Sequence, residues 1–96
     1  MNALAALMIV CGGFTNSYEV QVDFDTGTNT YEADLMGIDG TYGGFHIQSG
    51  PLTEQDGCWV GDGTRLCFKG DSHAEFMIEI RNEFATFVEE GVLTCN

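Results

Sequence analysis

Strict alternation of polar and apolar residues over positions 18–24 is the feature that most constrains how this chain folds. A period of two places the apolar side chains on one face of a β-strand and the polar side chains on the other. Residues 30–38 repeat the pattern after the turn-forming segment 26–29, so the two stretches are predicted to form a hairpin. Its register pairs Phe24 with Tyr31, because that pairing places both apolar faces on the same side.

The sequence CWVGDGTRLCF, residues 58–68, predicts a second hairpin. Asp62-Gly63 suits a two-residue type I′ turn, in which both central residues have a positive φ. Cys58 then lies opposite Cys67 at a non-hydrogen-bonded pair, where the Cα atoms approach to about 4.5 Å. That separation lies in the disulfide range, so Cys58 and Cys67 are the predicted disulfide of an oxidised sample. In a reducing cytosol the same two residues would fill space as thiols.

The remaining segments are assigned from turn signals and hydrophobicity. Asp39-Gly40 marks a turn that brings Leu35 opposite Phe45 in a further strand pair. The apolar residues 3–10 are predicted to form a buried strand or a short helix, since the run is too short to span a bilayer. No basic segment precedes this run and no small-residue cleavage site follows it, so a signal-peptide remnant is the weaker interpretation. The other two cysteines, Cys11 and Cys95, are expected to be small buried side chains, with a bridge between the termini as the alternative.

Residues 73–90 are predicted to form a C-terminal helix. Ser72 and Glu75 fit a capping box at its start, and Gly91 fits the position just after its end. Apolar residues recur at helical spacing along one face, namely Met77, Ile80, Phe84, Phe87 and Val88. Strands followed by one helix predict a single α+β domain over residues 1–96. In this fold, an antiparallel β-sheet of four to six strands packs against one C-terminal α-helix.

The charge of the chain argues against direct binding of nucleic acid. Lys and Arg number 3 against 15 Asp and Glu, which gives a net charge of −12 in 96 residues. Such a surface repels phosphate backbones and anionic membranes and attracts basic partners. The expected partner is therefore a basic protein, with no contact to nucleic acid or membrane.

The sequence contains no recognisable catalytic or metal-binding motif. No catalytic motif with a nucleophile or an acid is recognisable beside His46 or His73, and the cysteines lack the paired spacing of zinc sites. A calcium loop over residues 23–34 is disfavoured, because Thr28 stands where an EF-hand loop needs glycine and no helices flank it. The chain is therefore predicted to be a binding protein without catalytic activity, metal or other cofactor.

Stability does not explain the carboxylates of the predicted strands and helix. In the hairpin register Asp23 lies opposite Glu32, and like charges across a strand pair are unfavourable. Glu75, Glu79 and Glu83 repeat every four residues along the predicted helix, which is also mildly unfavourable. These side chains are therefore expected to serve binding. The predicted partner-binding residues are Glu19, Asp23, Asp25, Glu32, Asp34, Glu75, Glu79 and Glu83.

By size and charge the chain resembles small phage-encoded inhibitors, namely anti-CRISPR and anti-restriction proteins, and acidic immunity proteins that block nuclease toxins. The resemblance is one of class, and no residue role is carried over from it. It implies a viral nucleic-acid mimic that docks on a basic nucleic-acid-binding surface in the cytoplasm of the host cell. Trp59 and Tyr42 are candidate apolar anchors of that contact.

Two other interpretations of the acidic surface remain open. The runner-up is a small secreted or structural disulfide-stabilised domain with no inhibitory role. The charge alone would also suit general solubility or a high-salt habitat.

Overall fold

The computed structural model describes residues 7–38, 43–70, 72–81 and 83–96. These residues form nine β-strands, and none of them lies in a helix. The strands are β1 (Met8–Phe14), β2 (Tyr18–Asp25), β3 (Thr30–Gly37), β4 (Phe45–Gln48), β5 (Thr53–Gln55), β6 (Cys58–Gly61), β7 (Thr64–Lys69), β8 (His73–Arg81) and β9 (Thr86–Cys95). The fold of the described chain is therefore all-β.

The nine strands form one antiparallel sheet in the order β4-β3-β2-β1-β9-β8-β7-β6-β5. Strands β1 to β4 follow one another along one half of this sheet, and β5 to β9 follow one another along the other half. We call these the N-terminal half and the C-terminal half. The first and last strands, β1 and β9, pair side by side and join the two halves at a seam.

The sheet curls until the inner faces of its two halves pack against each other. The Phe24 ring on β2 lies 5.3 Å from the Trp59 ring on β6 and 5.6 Å from the Phe68 ring on β7. The Tyr31 ring on β3 lies 6.3 Å from the Phe76 ring on β8. These strands are far apart in the sheet order, so the ring contacts require the curvature. The inner face holds the core and the outer face meets solvent.

Alternation along each strand builds this core. Fully buried aliphatic side chains come from both halves, including Val22, Leu35, Leu66 and Leu93. Burying each of them stabilises the fold by about 1.5–3 kcal/mol. The buried hydroxyls of Tyr31 and Thr64 lie 2.5 Å apart and satisfy each other, and burial raises the pKa of the Tyr31 phenol. Burying this pair of hydroxyl groups therefore costs little folding free energy.

The predicted pairing of the N-terminal hairpins is confirmed. Phe24 lies opposite Tyr31 between β2 and β3, and Leu35 lies opposite Phe45 between β3 and β4. Matched burial on one face selected these registers, as expected from a side-chain period of two. The turn predicted at 39–40 lies outside the described residues.

The hairpin of β6 and β7 also has the predicted register. Asp62 and Gly63 have φ values of +50° and +72°, as a type I′ turn requires. Cys58 lies opposite Cys67, and the structure places a disulfide between them with a Cα–Cα distance of 4.0 Å. Both cysteines belong to the outer-face register of their strands, so this disulfide lies beneath the outer surface.

The predicted α+β fold is wrong, because residues 73–90 contain β8 and the first half of β9 in place of a helix. The inner side chains of β8 are Ala74, Phe76, Ile78 and Ile80, all buried, and the residues between them face outward. This is a period of two, which a strand buried on one face requires. The supposed helical face mixes the two sides of the sheet, since Ile80 is buried while Val88 is exposed.

The residues that were predicted to mark the start and the end of the helix have other roles in the sheet. Ser72 has a φ of +61° in the turn between β7 and β8, so it does not cap a helix. Gly91 lies inside β9, where a Cβ atom would overlap the carbonyl of Phe14. The glycine is therefore needed for close backbone approach at the seam.

The size of the sheet and the positions of its terminal strands also differ from prediction. The described residues form nine strands instead of four to six. Residues 3–10 were predicted to form a buried strand or a short helix. Residues 8–10 belong to β1 but are exposed or half-buried, and residues 1–6 lie outside the described ranges. Strands β1 and β9 lie in the middle of the sheet, where a disulfide joins Cys11 to Cys95. The alternative of a bridge between the termini is therefore the arrangement found.

Candidate functional site

The outer face of the N-terminal half carries a group of carboxylates that we call the acidic cluster. Its members alternate with buried core residues along β2 and β3, so the strand period that builds the core also points them outward. All are exposed or half-buried. The acidic cluster consists of Glu19, Asp23, Asp25, Glu32 and Asp34. It contains the five predicted partner-binding residues that precede residue 35.

Like charges lie directly opposite each other in the acidic cluster. Asp23 and Glu32 are Cα partners between β2 and β3. Their described partners are neutral amides: Gln21 Nε2 donates to Asp23 Oδ1 at 3.3 Å, and Gln48 Nε2 donates to Glu32 Oε1 at 2.9 Å. Amide donors satisfy carboxylate oxygens without cancelling their charge. The negative potential of this face is therefore retained.

Asp34 is the member of the cluster that has a titratable cation beside it. Its Oδ1 lies 2.7 Å from His46 Nδ1, and both side chains are more than half exposed. The hydrogen bond to Asp34 raises the pKa of His46 above its ordinary value of 6.5. The charge on this pair therefore depends on pH.

Asp25 has a local structural role that the sequence analysis did not assign. Its carboxylate accepts a hydrogen bond from the Gly27 N–H at 2.8 Å, and its carbonyl accepts one from the Asn29 N–H at 2.8 Å. Asn29 takes a φ of +59° in this turn, a conformation that asparagine tolerates. Asp25 therefore shapes the turn between β2 and β3 as well as adding charge.

Two of the three predicted site residues of the C-terminal half lie on the same outer face and have basic neighbours. Glu75 and Glu79 point outward from β8. Glu79 pairs with Arg81 at 2.5 Å, and Glu75 pairs with Lys69 at 3.6 Å. The third predicted residue, Glu83, is exposed between β8 and β9. The predicted helical stripe is thus replaced by a strand face whose charge is partly compensated.

One buried carboxylate was missed by the sequence analysis. Glu89 falls on the inner side of β9 and is 8 % exposed. The Thr15 hydroxyl donates to its Oε1 at 2.5 Å, and the Ser17 N–H donates at 3.4 Å. Its carboxylate therefore ties β9 to the turn after β1. Only the register of β9 on β8, which was not predicted, places Glu89 on the inner face opposite Ile78.

The two predicted apolar anchors are not confirmed as exposed contacts. Trp59 points inward and packs its ring against Phe24. Tyr42 lies outside the described residues. Other apolar side chains, considered below, are more exposed.

The outer face of the C-terminal half also contains a shallow hollow of about 500 Å³. Its lining combines Arg65, Glu75 and Glu90 with the apolar side chains of Met77 and Val92.

Among the described residues, no group of three or more His, Cys, Asp or Glu side chains is arranged to hold a metal ion. The described chain also has no helix of the length and hydrophobicity that crossing a membrane requires.

Comparison with known protein families, with curated proteins and with solved structures finds no match.

Proposed function

We propose that this chain is a small acidic inhibitor that binds another protein and occupies its basic nucleic-acid-binding surface. The observation that carries the proposal is the acidic cluster, in which Asp23 and Glu32 lie directly opposite each other. Like charges in this position lower the stability of the sheet. No lysine or arginine occurs in residues 1–50 to relieve them. A face that weakens its own fold is best explained by a function that needs the charge.

The spacing of the carboxylates supports imitation of a nucleic-acid strand. Side chains two residues apart on one strand face are separated by about 6.8 Å. Asp23 and Asp25 have this relation along β2, and Glu32 and Asp34 have it along β3. Successive phosphates of an extended strand are spaced similarly, so a surface that grips phosphates can accept this face. The mimic is built from a sheet alone, without the helical stripe predicted from the sequence.

The partner is a protein with clustered lysine and arginine side chains, such as a nuclease or a nucleic-acid-binding defence complex. Opposite charges on the two surfaces accelerate encounter, and added salt slows it. The inhibitor acts by occupancy in the cytoplasm of a host cell. It requires no catalysis and no cofactor.

The test is affinity capture with two variants that match each other in net charge. One carries Asp23→Asn, Asp25→Asn, Glu32→Gln and Asp34→Asn. The control carries Glu54→Gln, Asp56→Asn, Glu79→Gln and Glu83→Gln, four carboxylates of residues 51–96. Each variant removes four carboxylates from the native net charge of −12. Tagged chains are incubated with lysate of the host cell at low and high salt, and captured proteins are identified.

The expected result is capture of a nucleic-acid-binding protein that is released by high salt and by that protein's own DNA or RNA. The N-terminal variant should lose the capture and the control should retain it. Capture that both folded variants retain, or that competing nucleic acid does not disturb, would show that the acidic cluster is not the binding site.

The two disulfides favour a second candidate function, a secreted or structural domain without inhibitory activity. They join all four cysteines of the chain. Disulfides persist mainly in oxidising compartments and are common in small secreted domains. Alkylation of thiols in freshly lysed producing cells separates the two functions. Fully reduced cysteines would favour the cytoplasmic inhibitor, and fully bonded cysteines would favour the secreted domain.

A further inference from the structure

Five outward-facing residues form a continuous row across the seam of the sheet, and we call it the anchor row. Each residue is the Cα partner of the next, from β3 through β2, β1 and β9 to β8. The anchor row consists of Met36, Glu19, Phe14, Val92 and Glu75. With neighbouring strands about 4.8 Å apart, the row spans about 19 Å. It links the two halves of the outer face.

The apolar members of the anchor row are unusually exposed. Phe14, Met36 and Val92 are 59 %, 60 % and 61 % exposed. Phe14 and Val92 lie directly opposite each other, so their side chains form one apolar spot at the centre of the row. The next outward position along β1 is Gly12, which has no side chain to cover the Phe14 ring. The apolar surface of these side chains is therefore exposed to water, and a binding partner would bury it.

Charged groups surround this apolar spot. Glu19 lies between Met36 and Phe14, and Glu75 lies beside Val92. The hollow described above begins at Val92 and Glu75 and contains two carboxylates and one guanidinium, so its lining carries a net negative charge. An apolar centre with a charged rim is the usual composition of a protein-binding surface.

We propose that the anchor row is the contact that holds a basic protein partner, with Phe14 and Val92 packed against an apolar side chain of that partner. The inference rests on the proposed function and adds the residues that retain the complex. Lysine and arginine side chains of the partner would surround its apolar side chain and meet Glu19 and Glu75. A second copy of this chain is disfavoured as the occupant, because each copy has a net charge of −12.

The acidic cluster and the anchor row should affect different rates of binding. Charge complementarity mainly raises the association rate and is weakened by salt. A desolvated aromatic contact mainly slows dissociation and is not screened by salt. The complex should therefore lose association rate in high salt and keep a slow dissociation that depends on Phe14.

The test uses two synthetic peptides of equal charge with the full-length, disulfide-bonded chain. The first alternates lysine and serine, and the second has its two central serines replaced by leucine. Binding is followed by NMR titration of the isotope-labelled chain at low and high salt. The leucine peptide should bind about tenfold more tightly and shift the amide signals of Phe14 and Val92.

Phe14→Ala should reduce this difference to about twofold or less, since it removes most of the apolar contact. Met8→Ala is the matched control, because Met8 is also exposed on the outer face of β1 but lies about 20 Å away along the strand. The control should leave the difference unchanged. Val92→Thr, which keeps a β-branched side chain on β9, provides a second variant if Phe14→Ala disturbs the fold.

The outcomes for the two proposals are separable. Equal affinity of the two peptides, or a difference that survives both Phe14→Ala and Val92→Thr, would overturn the anchor row. Self-association that depends on Phe14, seen by sedimentation, would also overturn it and identify a second copy as the occupant. The variant with Asp23→Asn, Asp25→Asn, Glu32→Gln and Asp34→Asn should bind both peptides more weakly. If its binding of both peptides is unchanged, that result counts against the proposed function and not against the anchor row.

Discussion

The two halves of the sheet are built in the same way but carry their charges differently. Each half is an antiparallel meander whose inner side chains enter a shared core. Residues 1–50, which contain the N-terminal half, have six of the fifteen carboxylates and no lysine or arginine. Residues 51–96, which contain the C-terminal half, have the other nine carboxylates and all three basic residues, Arg65, Lys69 and Arg81.

This difference separates carboxylates with a structural explanation from those without one. Glu79 and Glu75 on β8 lie beside Arg81 and Lys69, so their charges belong to ordinary surface ion pairs. Asp23 on β2 faces Glu32 instead. Two meanders of the same construction therefore differ in whether their charge helps the fold. The N-terminal half is the stronger candidate for a binding surface for this reason.

The largest expected effect concerns the disulfide at the seam between the halves. Cys11–Cys95 spans 84 residues of sequence, and Cys58–Cys67 spans 9 within the C-terminal half. Chain entropy predicts that the first lowers the free energy of the folded relative to the unfolded chain by about 4.6 kcal/mol and the second by about 2.6 kcal/mol. Cys11→Ala/Cys95→Ala should therefore cost about 2 kcal/mol more than Cys58→Ala/Cys67→Ala.

Urea unfolding of the two double variants at neutral pH measures this difference. All four cysteines are at most 8 % exposed, so the loss of packing is comparable in the two variants. Equal losses of unfolding free energy would mean that pairing of β1 with β9 holds the halves together without help from the bridge.

The same comparison shows why the sequence predicted one part of the fold and missed another. The hairpins of β2–β3 and β6–β7 have local turn signals, and Asp62-Gly63 even fixes the register. Residues 71–90 contain no glycine or proline, so the strongest turn signals were missing at the break between β8 and β9. Apolar residues four apart are compatible with one face of a helix and also with one face of a strand.

The pairing of β1 with β9 at the seam could not be predicted from local sequence patterns. Cys11 and Cys95 are partners because the first and last strands meet, a contact set by the whole topology. The acidic cluster was predictable because it depends on the β2–β3 register alone. The anchor row was not predictable, since placing Phe14 opposite Val92 requires the seam.

A smaller effect should distinguish the carboxylates of the two halves directly. Asp23→Asn keeps the side-chain size and removes the repulsion from Glu32, so the free energy of unfolding should rise by about 0.3–1 kcal/mol. Glu79→Gln removes the ion pair with Arg81, so the free energy of unfolding should fall by about 0.2–0.5 kcal/mol. Urea unfolding at low salt measures both changes, and high salt should shrink both.

Glu32→Gln provides the control for the repulsion at Asp23. It should stabilise the fold as Asp23→Asn does, and the double variant should gain less than the sum, because both changes relieve one interaction. A loss of stability in Asp23→Asn would mean that its contact with Gln21 outweighs the repulsion. The acidic cluster would then have a structural explanation like that of Glu79.

The smallest expected effect comes from His46, the one histidine in residues 1–50. The hydrogen bond to Asp34 raises the pKa of His46, so the folded chain binds this proton more tightly than the unfolded chain does. The contact therefore stabilises the fold fully below the ordinary pKa of 6.5, and the stabilisation disappears as pH rises through the higher folded-state pKa. NMR titration of the His46 ring should give a midpoint above 6.5. Asp34→Asn should return that midpoint toward the ordinary value, because an amide cannot favour the protonated ring as a carboxylate does. A midpoint that Asp34→Asn leaves unchanged would mean that the contact with Asp34 does not favour the protonated ring, and Asp34 would then be as uncompensated as Asp23 and Glu32.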